Sequence, residues 1–291
     1  MARIPLIGHA DQMAMFRRAL QRGRTAHAYL LVGPDGIGKR QFARGGAQCL
    51  FCRETDDAEL SACGECSACK QVAAGSHPDL LTAGCPEGKK ELPIEVMVGS
   101  RERRGREGLC HDLSLRPMSA TRRIAIIDDA DKMNEASANA LLKTLEEPPE
   151  HAKFIFATTE IRKVPVTVLS RCQRFDLKRI DREVLTDHLE RICGLENASV
   201  DREGLSLIAR AAEGSVRDAL SLLDQAIVQG SEETGPVTAP QVRDMLGLAD
   251  RARVLDLLDQ ALSGKTAEAL AELGSLYDAG GDPVVITRDL L

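Results

Sequence analysis

The segment Gly33-Pro-Asp-Gly-Ile-Gly38-Lys39 has the spacing G-x-x-x-x-G-K and follows directly on the apolar run Ala28–Val32. Gly33, Gly36 and Gly38 free the backbone to aim several N–H groups at one point. A helix starting at Lys39 would add its N-terminal field and the lysine's charge. That is the chemistry of an anion cradle, and the strand-before, helix-after context favours phosphate over a plain connecting turn. The next position departs from the usual pattern: a Ser or Thr hydroxyl belongs there to hold Mg2+, and this chain has Arg40. A guanidinium donates hydrogen bonds and accepts none, so it cannot ligate a cation, and its charge repels one. The loop is expected to bind phosphates, as of ATP, with Mg2+ binding and hydrolysis weakened.

A second apolar run, Ile124–Ile127, ends in Asp128-Asp129. Asp128 is placed to hold Mg2+ directly or through water. Asp129 stands where a water-activating glutamate would be, one methylene short, and a misplacement of that order costs about 10²-fold in rate. The bland alternative is that Asp128, Asp129 and Asp131 only favour the start of the next helix. Cys52, Cys63, Cys66 and Cys69 form C-x10-C-x2-C-x2-C. Four thiolates at tight spacing suit structural Zn2+, a closed site that folds residues 50–70 into a knob and leaves no position open for catalysis. An iron–sulfur cluster or free thiols are the alternatives, and Cys49 is a competing first ligand. Cys85, Cys110, Cys172 and Cys193 are scattered and read as ordinary core or surface residues. Two arginines stand out by position. Arg171, in Ser170-Arg171-Cys172, is expected after a strand and loop over Val166–Leu169, where it could reach phosphates held by a neighbouring subunit. Arg217 opens a helix capped by Ser215, a place unfavourable for a cation and suggestive of an anionic partner. A surface cation is the alternative for both.

Periodicity supplies the elements that would position these groups. Residues 7–22 put Met13, Phe16 and Leu20 near helical spacing. Ala28–Val32, Ile124–Ile127 and Phe154–Ala157 read as short buried strands, the last ending in Thr158-Thr159. Lys39–Cys49 reads as a helix. So does the stretch with Ala138, Leu141, Leu142 and Leu145, capped by Asn134 and stopped by Pro148-Pro149. Residues 83–106 read as loops with one short element at most. The alternation implies an α/β fold with a parallel sheet covered on both faces. From about residue 180 the pattern is helical throughout, with a stripe of Ala219, Leu222, Leu223 and Ala226 and a polar linker at 231–236. The expected domains are 1–179, with the zinc knob inside it, then 180–236 and 237–291.

The chain has 291 residues, 3% aromatics, no Trp and a formal net charge of -6. Few aromatics argue against a single-strand stacking platform, and the charge argues against a generally basic nucleic-acid binder, leaving only a local basic face open. No apolar run reaches the ~18 residues of a membrane span and no signal peptide is visible. Those features predict a soluble, cytoplasmic protein with no membrane contact, in which clustered cysteines read as metal ligands.

With these residues in view, the chain resembles the clamp-loader subunits of bacterial DNA polymerase III, of the AAA+ class. The resemblance is carried by His27-Ala28, the Gly33–Lys39 loop, the four cysteines, Asn139-Ala-Leu-Leu-Lys-Thr-Leu-Glu-Glu-Pro-Pro149, Ala157-Thr-Thr, Ser170-Arg171-Cys172 and Gly214-Ser-Val-Arg217-Asp-Ala-Leu, and it spans essentially the whole chain. Residues up to about 150 resemble the delta-prime subunit, with Gly-Lys-Arg in the loop and Asp-Asp after the second strand; later residues, such as Leu222-Leu-Asp-Gln-Ala and Met245-Leu-Gly-Leu-Ala-Asp-Arg, resemble tau/gamma. The resemblance implies that Lys39 contacts phosphates, that Asp128 and Asp129 form the second carboxylate motif, and that Thr158 or Thr159 senses the γ-phosphate. It also implies that Arg171 reaches a neighbour's nucleotide and that Arg217 contacts the chain's own from a helical lid. The third domain would be a collar holding subunits in a hetero-oligomeric ring, and the end at Leu291 predicts a partial one. The implied function is ATP-dependent loading of the sliding clamp onto primed DNA. Arg40 and Asp129 favour a delta-prime-like stator that lends Arg171 to a neighbour; Lys39 and the second half favour a tau/gamma-like ATPase motor. Another AAA+ DNA-processing ATPase, such as a Holliday-junction motor, is the remote alternative, and the loop–cysteine–Ser-Arg-Cys order counts against it.

Overall fold

The computed structural model describes residues 3–23, 25–55, 59–86, 88–230 and 235–278. Five strands, β1 (Ala28–Val32), β2 (Leu80–Ala83), β3 (Arg123–Ile127), β4 (Ala152–Thr158) and β5 (Gln173–Asp176), pair in parallel in the order β2-β3-β4-β1-β5. Side chains alternate across this sheet. Tyr29, Leu31, Ile124, Ile126, Ile155 and Ala157 enter one core; Leu30, Ala125, Ile127, Phe154 and Phe156 enter the other. Helices α1 (Ala10–Gln21), α2 (Lys39–Phe51) and α3 (Ser67–Ala74) close the first core through Phe16, Phe42, Leu50 and Val72. Helices α4 (Ile94–Val98), α5 (Leu109–Ser114) and α6 (Glu135–Glu146) close the second through Met97, Leu113, Leu141 and Leu145. Burial on both faces is why the central strands read as unbroken apolar runs. The pairs Val32↔Thr158 and Ile127↔Phe156 bring the carboxyl ends of β1, β3 and β4 to one edge of the sheet. In open parallel sheets that edge is where ligands bind.

The local signals explain most boundaries. The Asn134 side chain accepts the Ser137 N–H at 2.9 Å and starts α6. Two strands were not expected. β2 follows the buried Asp79, and β5 is an edge strand in which only Phe175 is buried. Val166–Leu169, expected as strand and loop, is instead a helical turn, α7. Pro165, with φ -55°, starts it and accepts the Leu169 N–H at 3.1 Å, so the proline's fixed φ overrides the β-branched valines. The stretch 83–106 holds α4 and a 3-10 turn at Arg101–Arg103.

One buried ion pair fixes the entrance to the sheet. Asp79 is fully buried, accepts the N–H groups of Met118, Ser119 and Ala120 at 2.7, 2.8 and 2.9 Å, and lies 3.4 Å from Arg123 at the start of β3. Burial raises its carboxyl, but those donors outweigh burial and hold it below the ordinary carboxylate range.

The chain divides into two compact units, one reaching Val184 and including Gly214–Arg217, the other formed by Leu185–Glu213 and the residues from Asp218 onward. The remaining helices are α8 (Arg182–Glu196), α9 (Arg202–Ala211), α10 (Val216–Gly230), α11 (Ala239–Met245), α12 (Leu248–Leu262) and α13 (Thr266–Asp278). Ser215, expected as the cap of α10, is buried immediately before it. In the second unit α9 packs on α11, with Leu205, Ile208 and Val242 buried, and α12 packs on α13 through Val254, Leu257, Ala269 and Leu276. Of the expected linker at 231–236, residues 231–234 lie outside the described residues. Among the described residues no helix is long and apolar enough to cross a membrane.

Candidate functional site

The glycine loop leaves β1 at the shared edge, where the Gly33 N–H donates to Thr158 O at 3.2 Å. Gly38 is left-handed (φ 92°) at the start of α2, and no side chain caps this helix. Its first N–H groups are thus available to an anion, in the field of a 13-residue helix. Gly36 is also left-handed (φ 72°), and a Cβ there would lie 1.9 Å from Ser215 Oγ. Glycine at this point lets the segment 214–217 close onto the loop: the Val216 and Arg217 N–H groups donate to Gly36 O at 3.0 and 3.2 Å. The Arg217 guanidinium then donates to Asp35 Oδ2 at 2.8 Å. The anion next to Arg217 is thus a loop residue, and its sequence signal is an acid inside an otherwise neutral glycine turn.

Lys39 Nζ donates to Gly33 O at 3.0 Å and Pro34 O at 2.7 Å. Burial lowers its pKa, Asp35, Asp131 and Asp128 pull it back up, and Arg217 pushes it down. These five charges therefore share one electrostatic neighbourhood. Arg40 Nε lies 3.2 Å from Asp128 Oδ2. Burial raises the Asp128 carboxyl above its ordinary range, against the pull of Arg40. Asp129 sits in the left-handed region (φ 54°), and its carboxylate lies 3.4 Å from Lys132. The Thr158 hydroxyl is buried and donates to Asp131 Oδ1 at 2.5 Å, whereas Thr159 is exposed at the edge. Asp131, weighed from the sequence only as a helix-start acid, is what fixes Thr158. Arg171 follows α7 and pairs with Glu146 on α6 at 2.5 Å, while also donating to Thr167 O at 2.8 Å. Glu146 was another unread partner, since nothing in local spacing links the end of α6 to residue 171.

The four cysteines converge. The sulfurs of Cys52, Cys63, Cys66 and Cys69 all lie within 4.8 Å of one another, and Cys63 Sγ is 3.9 Å from Cys69 Sγ. Tetrahedral zinc with Zn–S of about 2.3 Å requires S···S edges of about 3.8 Å. An iron–sulfur cluster sets its cysteines further apart, because iron and sulfide lie between them. Backbone N–H groups already point at the sulfurs: Cys63 N at Cys52 Sγ (3.4 Å), Glu65 and Cys66 N at Cys63 Sγ (3.4 and 3.3 Å), and Cys69 N at Cys66 Sγ (3.4 Å). Such donors favour thiolate, and although burial opposes it, they hold Cys52 below the usual thiol range. The donor set fits a structural zinc. Cys49 is not one of the four: it is buried inside α2, and burial pushes its thiol up to about 11.

A family model described as DNA polymerase III, delta subunit matches residues 8–181. One described as the DNA polymerase III clamp loader subunit ATPase lid domain matches 184–232, and one for domain III of DNA polymerase III subunits gamma and tau matches 237–291. The chain belongs to the DNA polymerase III clamp-loader family. Among curated relatives of this family, DNA polymerase III subunit tau/gamma of Haemophilus influenzae is 36% identical over 95% of this chain and 38% of its own length. DNA polymerase III subunit tau of Escherichia coli is 37% identical over 91% of this chain and 39% of its own length. DNA polymerase III subunit gamma of Buchnera aphidicola is 34% identical, over 94% of this chain and 72% of its own length. The chain thus spans less than half of the first two relatives. In fold, it is similar to the Thermotoga maritima RuvB Holliday junction branch migration motor, with a TM-score of 0.57 and 16% identity over 94% of this chain and 86% of that one. The fold is that AAA+ architecture: a parallel α/β sheet, a lid and a further helical domain.

Proposed function

We propose that this chain is a tau/gamma-type ring subunit of the DNA polymerase III clamp loader, helping to place the sliding clamp on primed DNA. The observation that carries this reading is the composite loop site. Lys39 stands at the uncapped start of α2, and Arg217, in the first turn of α10, stands on the same loop. In this reading Gly33, Gly36, Gly38, Lys39 and Arg217 hold the phosphates of ATP. Asp128 and Asp129 line the hydrolytic side, the exposed Thr159 rather than the buried Thr158 meets the terminal phosphate, and Arg171 is presented to a neighbour's nucleotide. The zinc knob at 50–70 is structural. The domains run 1–179, 180–236 and 237–291.

The relatives named tau and gamma support the tau/gamma side of the choice more than the stator that Arg40 and Asp129 suggested. The delta-prime-like stator remains the second reading because of two observations, the Arg40–Asp128 pair and the description of the first family model. Turnover separates them. The chain is reconstituted with the other loader subunits, clamp and primed DNA, and ATP hydrolysis is measured with wild type and Lys39→Ala. A fall in hydrolysis localised to this subunit's site supports the tau/gamma reading. Hydrolysis indifferent to Lys39→Ala but dependent on Arg171 supports the stator, and a chain that never joins the ring defeats both.

A further inference from the structure

The fold implies Mg2+ beside the bound phosphates, and the residues here do not fit it. Mg2+ needs near-octahedral oxygen ligands at about 2.0–2.1 Å and gives up its waters reluctantly. Of the two protein groups that would ordinarily serve it, the hydroxyl after the loop lysine is replaced by Arg40, which has no acceptor atom. The other, Asp128, already has a cation on its carboxylate, with Arg40 Nε at 3.2 Å from Oδ2. A divalent ion entering here would have to displace a guanidinium from its partner and then sit beside it. The next carboxylate along, Asp129, is drawn aside to Lys132 by a left-handed backbone, and Asp131 is taken by the Thr158 hydroxyl. Each of these three carboxylates thus already has a cation or a hydroxyl on one of its oxygens.

The same guanidinium stands at the first residue after Lys39, with its side chain 62% exposed. It lies in the first turn of α2, the helix whose N-terminus no side chain caps. An arginine is always charged, carries five donors, and binds phosphate oxygens in a fork. We propose that the phosphate loop of this chain takes a nucleoside di- or triphosphate without a divalent cation, Arg40 supplying the positive charge that Mg2+ would supply and Asp128 holding Arg40 in place. This rests on the reading of the loop as a nucleotide site. It deepens that reading into a statement about what the site recognises: a polyphosphate bound without a divalent cation. Asp128 is then a positioning residue that acts through Arg40 rather than a metal ligand.

The test is equilibrium binding of ATP and of ADP to the full zinc-loaded chain, in buffer freed of divalent ions by a resin. A dissolved chelator would strip the cysteine site and is avoided. Binding is then repeated with millimolar Mg2+. Wild type is expected to bind both nucleotides with affinity essentially unchanged by Mg2+. Arg40→Thr, which restores the hydroxyl and frees Asp128, is expected to lose about tenfold or more in metal-free affinity, the scale of a lost hydrogen bond to a charged group, and to recover it when Mg2+ is added. Arg40→Lys keeps the charge and is expected to keep most of the metal-free binding; it also guards against a folding defect at this position. Lys39→Ala should abolish binding in both buffers. The proposal is overturned if wild-type affinity rises about tenfold or more with Mg2+, or if Arg40→Thr binds as well as wild type without metal. A chain that binds no nucleotide in either buffer yet enters the ring overturns this inference and leaves the clamp-loader reading standing.

Discussion

Arg171 shows how a single side chain can be held ready. Its guanidinium is half-buried, anchored on the Thr167 carbonyl and paired with Glu146 at the end of α6. Exposed pairs of this kind contribute little to stability, about 0–1 kcal/mol, so the arginine can leave Glu146 for a phosphate at small cost. Arg171→Ala is therefore expected to leave the melting curve of the isolated chain unchanged. In the reconstituted loader it should reduce ATP hydrolysis steeply, on the order of 10³-fold if this is a central arginine finger. Equal activity of variant and wild-type complexes would remove that role. Glu146→Gln is the companion measurement: a finger that leaves Glu146 for a phosphate predicts that this variant keeps full activity. The residues of this candidate site stand out in the sequence because the glycine loop, the paired aspartates and Ser-Arg-Cys each have a local signature. Their immediate partners, Asp35 on Arg217, Asp131 on Thr158 and Glu146 on Arg171, do not. Those contacts are set by the closure of 214–217 on Gly36, by the register of β3 and β4 and by where α6 ends, over separations of up to 182 residues.

At the scale of elements, two clamps set how the loop edge is built. Asp79 is fully buried and Arg123 nearly so, at 5% side-chain exposure. Breaking such a pair by removing one partner costs about 3–5 kcal/mol, since the other charge is left uncompensated. Asp79→Ala is expected to destabilise the first unit by that amount, read from urea unfolding. The pH dependence has a definite sign. A carboxyl held below its ordinary value in the folded chain gives full stabilisation above the unfolded value of about 3.9 and loses it as the pH falls toward the folded value. The gap between wild type and Asp79→Ala should stay constant in neutral buffer and narrow below about pH 4. A gap that persisted unchanged into acid would mean that Asp79 is not held as a carboxylate. The second clamp is the cysteine knob. One zinc per chain is expected by metal analysis in reducing buffer, and Cys63→Ser should lose it and expose residues 50–70 to proteolysis, because metal binding and local folding are the same free energy in such sites. Metal-free wild type with the same protease resistance would count against the zinc. Element legibility tracked burial: β1, β3 and β4 lie inside the sheet and were plain. β5 buries only Phe175 and carries no apolar run to read, and Pro165 turned a valine-rich stretch into helix.

On the scale of the whole molecule, the described residues of the second unit carry exposed apolar side chains. Within the α12–α13 pair, Val254, Leu257, Ala269 and Leu276 face inward, while Leu255, Leu262, Leu270 and Tyr277 are 62–80% exposed. Single exposed apolar residues need no explanation, but four on two adjacent helices are the kind of surface that marks a protein partner. This pair lies in the region matching domain III of gamma and tau, 237–291. This surface is predicted to contact another subunit in the reconstituted loader. The double variant Leu262→Glu, Leu270→Glu tests this without touching the inner stripe. It should keep the helical content and melting temperature of the isolated chain, because neither side chain contributes to the α12–α13 core. It should enter the reconstituted ring poorly, since each buried leucine would have contributed about 1.5–3 kcal/mol and each glutamate would bring an unpaired charge into the contact. Light scattering of the assembled complex reads the result. Undiminished incorporation of the variant would place ring contacts elsewhere on the chain. Loss of the isolated fold would mean that these leucines face a part of the chain itself.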